Sequence, residues 1–139
     1  RMARDWVQDK YDKLYQQTAV SAAYKALRPT LATTIPRLPQ QRKLQVIGTR
    51  LRVGRTLLAA ELYLRNMHPD GLCQCTTEQQ TIEHMIYNNN CRTYNIQRQK
   101  LHALISDNNG QLLTLPQILN DQLKLKHLIN FFVSTVGRV

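Results

Sequence analysis

The chain has 139 residues, 42% of them hydrophobic, enough for one domain with a core and too apolar for global disorder. Nineteen Lys and Arg against nine Asp and Glu give a net charge of +10 and a pI near 10.0. That balance points to a polyanion partner, nucleic acid before an anionic membrane surface, although a basic piece of a larger, better balanced protein would look the same. No apolar run is long enough to span a bilayer. The opening RMARDWVQDK lacks the apolar stretch of a signal peptide. Three cysteines are also the wrong number for a secreted disulfide scaffold, so an intracellular, reducing compartment is expected.

Residues 5–27 read as one long helix. Asp5 can cap its first turn, with Gln8 three residues on. Val7, Tyr11, Tyr15, Ala19, Ala22 and Ala26 recur at three- and four-residue spacing and form an apolar stripe with Leu14 beside it. Trp6 opens the stripe, and its ring is expected to anchor the helix to the rest of the domain. Asp5, Asp9 and Asp12 resemble a cation site only superficially; near a helix start they suit the macrodipole and face water. Pro29 ends the helix, and 29–39, PTLATTIPRLP, reads as a loop or an extended crossover.

A second helix is expected over 40–51, with Leu44, Ile47 and Leu51 on one side and Arg42, Lys43 and Arg50 on the other. Gly54 interrupts, and Thr56 is a candidate N-cap for a helix through Leu57, Leu58, Leu62 and Leu64 that ends near Asn66. Between 37 and 65 lie Arg37, Arg42, Lys43, Arg50, Arg52, Arg55 and Arg65, opposed only by Glu61. Six of these seven cations are arginine, whose planar fork suits bidentate phosphate contact. The bland reading is a solvated face with one arginine buried against the acidic N-terminal helix; for Arg52, in the Leu-Arg-x-Gly run, the alternative to phosphate is holding the helix junction through backbone carbonyls.

Next comes LCQCTTEQQTIEHMIYNNNC, residues 72–91, which holds every cysteine of the chain. Cys73, Cys75, His84 and Cys91 supply three thiolates and one imidazole, a donor set that closes one tetrahedral shell and suits zinc. A single residue between the first two cysteines is tighter than the usual finger spacing. Thr81 is placed to cap a short helix carrying Ile82, His84, Met85 and Ile86; Cys91 is expected to begin the helix that follows. Rival readings are three unliganded core thiols or a Cys–His nucleophile, but no third orienting group is in view for the latter. His68 is a spare donor, and Arg92 is a candidate to offset the negative charge of a zinc–trithiolate shell.

Residues 91–106 read as a helix with Tyr94, Leu101 and Leu104 or Ile105 inward and Arg98 and Lys100 outward. DNNG at 107–110 is a turn, and Thr114 caps a short helical turn around Pro116. The last helix, about 121–136, carries the cleanest stripe: Leu125, Leu128, Ile129, Phe132 and Val136, with Gly137 as its stop.

The runs RLRVGRTLLAAELYLRNM, CQC, TIEHMIYNNNC and CRTYNIQRQKL together resemble the segment that closes the polyproteins of non-LTR retrotransposons. There it follows the reverse transcriptase and, in several lineages, the ribonuclease H domain. The family pattern is Leu-Arg-x-Gly-His, a leucine-bearing helix, Cys-x-Cys, Glu-Thr-x-x-His, and a cysteine followed by Tyr and Arg. Leu51, Arg52, Gly54, Cys73, Cys75, Thr81, His84, Cys91, Tyr94 and Arg98 match; Arg55 replaces the histidine and Gln80 the glutamate. The closing INFFVSTVGRV is similar to the family's last helix, and Trp6 to a tryptophan-bearing helix after the ribonuclease H domain.

The resemblance implies a non-catalytic accessory region of an RNA-directed DNA polymerase, which grips RNA or target DNA and touches the polymerase and ribonuclease H regions in a nuclear or cytoplasmic ribonucleoprotein. The chain has no polymerase-type YADD motif and no spaced carboxylate set for two-metal chemistry. The expectation is an all-α fold: an N-terminal helical arm and linker over 1–39, then a helical zinc-knuckle domain over 40–139 packed with it. Zn is expected on Cys73, Cys75, His84 and Cys91, and phosphate on Arg42, Lys43, Arg50, Arg52, Arg55, Arg65 and Arg98, with no catalytic residues. A scaffold domain docking on the parent polymerase or an acidic protein is the alternative.

Overall fold

A computed structural model describes residues 2–17, 22–29 and 36–137. These residues form eight helices and no strand: α1 Met2–Gln17, α2 Ala22–Leu27, α3 Arg42–Val53, α4 Ala59–Leu64, α5 Ile82–Tyr87, α6 Asn95–Ile105, α7 Leu115–Leu119 and α8 Gln122–Thr135. The domain is all-helical, as the period of its apolar residues requires. None of these helices is long and apolar enough to cross a membrane.

The core is built around α8. Its Leu125, Leu128, Ile129 and Phe132 are buried at the expected spacing, and the helix packs against α3, α6 and α7. Asp121 caps it, its carboxylate accepting from the amides of Leu123 and Lys124. At Gly48 α3 comes so close to Leu38 and Ile129 that a methyl group there would collide with the Leu38 side chain. Gly54, at φ 72°, then ends α3 in the left-handed conformation, its amide returning to the Leu51 carbonyl.

α2 packs on α3 and α7, and Leu27 joins the core. The junction from 17 to 22, which the stripe reads as continuous helix, includes residues 18–21 outside the described set, as does 30–35 of the crossover. Since α1 already includes Met2, Asp5 lies within the helix and does not cap it. Trp6 is not an anchor: it is 65% exposed, with Lys10 over its ring at 5.3 Å. Val7, Tyr11 and Leu14 are exposed as well. What holds α1 is its far end, where Tyr15 is buried and donates to the Arg28 carbonyl at 2.9 Å.

Two helix starts differ from expectation. Thr56 is buried and accepts from the Leu58 amide, but α4 begins only at Ala59. Its first amides are satisfied from a distance: Ala59 N–H by the Gln80 side-chain oxygen at 3.0 Å and Ala60 N–H by the Gln80 carbonyl at 3.3 Å. Cys91 likewise precedes α6 by four residues and sits in a turn. The DNNG turn forms, with the Asp107 carboxylate accepting from the amides of Asn109 and Gln111.

Candidate metal centre

Local backbone chemistry brings Cys73 and Cys75 to one point. Gly71, at φ 72°, turns the chain against α4, where a Cβ would meet Tyr63 Cβ at 3.0 Å. The segment then folds back on itself: Cys73 N–H donates to the Glu78 carbonyl at 2.9 Å and Thr76 N–H to the Cys73 carbonyl at 2.8 Å. Thr76 adopts φ 63°, a conformation that threonine seldom takes. That reversal is how one intervening residue suffices between two ligands. α5 delivers His84, with Thr81 accepting from the His84 amide at 3.1 Å as the N-cap.

The four donor atoms lie within 4.8 Å of one another, and Cys73, His84 and Cys91 are buried. A tetrahedron with Zn–S of about 2.3 Å and Zn–N of about 2.0 Å has S···S edges of roughly 3.8 Å and S···N edges of roughly 3.5 Å. Cys73 Sγ and Cys91 Sγ are 3.7 Å apart, and Cys75 Sγ and His84 Nε2 are 3.6 Å apart. Cys73 and Cys91 are too far apart for a disulfide, whose S–S bond is about 2.0 Å, and these two of the six edges have the lengths of a zinc shell. The residues fit the ion. Among the described residues this is a Cys3His cluster able to chelate a metal.

The imidazole is oriented from behind. Nε2 faces the cysteines, while Nδ1 lies 3.3 Å from Glu78 Oε2, and Asn88 Nδ2 donates to the same carboxylate oxygen at 2.8 Å. Asn88 Nδ2 also lies 3.1 Å from Nδ1; with the ring proton on Nδ1 toward Glu78, Nε2 is left free for a metal and becomes a better donor. Sequence reading missed Glu78 and Asn88, although Asn88, four residues after His84, shares its helical face. His68 stands outside the cluster, and its Nδ1 accepts the Gly71 amide at 2.9 Å and holds the turn.

The thiols differ in their readiness to ionise. Burial pushes Cys73 up to about 11. Burial also opposes ionisation of Cys75, but hydrogen bonds from the Thr77 hydroxyl and from the Thr77 and Glu78 amides outweigh it and bring Cys75 down to about 6. Capture of a metal at neutral pH therefore has to displace the Cys73 proton.

The expected outward position of Arg98 is corrected. Arg98 is 0% exposed, with Nε donating to the Met85 carbonyl at 3.0 Å and Nη1 to the Cys91 carbonyl at 2.8 Å. It ties the end of α5 and the last ligand to α6. The spacing Tyr94, Arg98, Leu101, Ile105 puts it on the buried stripe, a signal that its charge obscures. Arg92, the sequence candidate for this place, is exposed.

Arg52 is also turned inward. It is 7% exposed, and its guanidinium donates to a backbone carbonyl, that of Pro36, so it pins the crossover to α3 and not the junction after α3. Of the other expected phosphate contacts, Arg42, Lys43, Arg55 and Arg65 are exposed and Arg50 is half-buried. Arg65 stands 3.8 Å from Glu61, a loose surface pair. No family model matches the chain, and no curated protein or solved structure does either.

Proposed function

We propose that this chain is a zinc-stabilised nucleic-acid-binding module and works as a non-catalytic accessory region of a non-LTR retrotransposon reverse transcriptase polyprotein. The observation that carries the reading is the closed Cys3His cluster on a chain of net charge +10. Cys73, Cys75, His84 and Cys91 would hold zinc, which supplies folding energy and no open ligand position for chemistry. Arg42, Lys43, Arg55 and Arg65 are exposed and would meet phosphates of RNA or DNA, with Arg50 at the margin. Phosphate contacts confer affinity without sequence preference, so specificity would come from the rest of the polyprotein. A scaffold role is favoured by the scarcity of stacking surfaces near these cations, where Tyr63 is the exposed ring.

The test is binding of the zinc-loaded chain to RNA and to duplex DNA across a salt series. Each phosphate contact adds about 0.7 to 0.9 to the log–log slope. Replacing Arg42 and Arg55 together by Gln is expected to flatten the slope by about 1.5 and to leave the melting temperature unchanged. A flat salt dependence of the parent protein would hand the surface to the scaffold reading.

A further inference from the structure

Apart from the metal centre, α2, the end of α3, the start of α4, the 80–83 turn and α7 enclose a cavity of about 400 Å³. Its wall is apolar, with Leu27, Leu51, Ile82 and Leu119 buried around it, and none of the four metal donors lines it. Two carboxylate residues, Glu61 and the exposed Glu83, stand at its rim. No Lys, Arg or His occurs among its described lining residues. In a chain with nineteen Lys and Arg against nine Asp and Glu, this lining reverses the charge sign of the molecule.

We propose that the cavity docks a segment of a partner protein that presents an apolar side chain beside an arginine or lysine. The wall rewards an apolar group, since each Å² withdrawn from water is worth roughly 25 cal/mol. The rim rewards a cation. Glu83 makes no ion pair among the described residues, and Glu61 has only the loose contact with Arg65 at 3.8 Å. The same rim repels phosphate, so this surface is distinct in its chemistry from Arg42, Lys43 and Arg55 and does not rest on the nucleic-acid reading. A volume of about 400 Å³ is at the small end of ligand sites and takes one or two side chains, with the rest of the segment lying across the mouth.

The experiment is an NMR titration of the zinc-loaded chain with two capped dipeptides, acetyl-Phe-Arg-amide and acetyl-Phe-Gln-amide, and with phenethylamine. The Arg dipeptide is expected to shift the methyls of Leu51, Ile82 and Leu119 and to bind about fivefold tighter than the Gln dipeptide. Glu61→Gln with Glu83→Gln, isosteric changes at the rim, should erase that preference while the rest of the spectrum stays native. Ala26→Phe blocks both dipeptides from the wall, because Ala26 lines the cavity yet is exposed and outside the core. Absence of shifts at millimolar dipeptide, or equal binding of the two, overturns the proposal. Binding of phenethylamine without either dipeptide overturns it too, in favour of a small-amine site.

Discussion

Around the Cys3His cluster, polar side chains turn inward onto partners that can be named: His84 to Glu78, Gln80 to the first amides of α4, Arg98 to the carbonyls of Met85 and Cys91. In α1 the reverse holds, and Trp6, Val7, Tyr11 and Leu14 face outward. Both regions carry strong sequence signals, but of different kinds. A set of donors that closes at four specifies its own partner, one ion. A helical stripe specifies only that the helix has two unlike faces, and leaves open what covers the apolar one.

The largest test of that contrast is removal of the ion. Cys91→Ser, or chelation of the parent protein, is expected to cost on the order of 5 kcal/mol or more of stability, because metal affinity and folding energy are one quantity in such a site. A thermal melt followed by circular dichroism reads it, and an unchanged midpoint would reduce the three cysteines to ordinary core residues. The accompanying pH dependence has a definite sign. With the metal-free Cys73 held up at about 11, zinc uptake at pH 7 releases its proton, so affinity weakens as pH falls. Calorimetry in buffers of different ionisation enthalpy measures the released proton directly.

Arg98→Met comes next. It keeps much of the buried volume but leaves the carbonyls of Met85 and Cys91 without their donor, for an expected loss of about 3 kcal/mol. Chemical denaturation of the zinc-loaded variant gives the number. A loss below about 0.5 kcal/mol would mean that the guanidinium is replaceable by any side chain of its length.

Glu78→Gln probes the support behind His84. It is expected to lower zinc affinity about tenfold in competition with a chromophoric chelator, while the loaded protein melts close to the parent. At the other pole of the comparison, Tyr15→Phe removes the hydrogen bond to the Arg28 carbonyl and should cost about 1 kcal/mol. Trp6→Ala should change stability by less than about 0.5 kcal/mol, and a larger loss would show that α1 has a packed face after all.

Local chemistry made much of this protein legible from its sequence. Thr81 and Thr114 cap the helices they precede, Gly54 stops α3, and the stripe from Leu125 to Phe132 lies in the core. These features depend on residues within a turn or two of one another, so spacing determines them. The Cys3His cluster was legible by stoichiometry. The orientation of Arg52 and Arg98, the capping of α4 by Gln80 and the placement of Glu78 behind His84 were decided by the tertiary structure. Each of them answers a backbone or ring group left without a partner where two elements meet. Arg98 is the clearest instance: its register put it on the inner stripe, its charge argued for water, and the carbonyls of Met85 and Cys91 tipped the balance. A buried cation is tolerable only where such acceptors converge, and that convergence exists only once α5, the 88–91 turn and α6 have packed together.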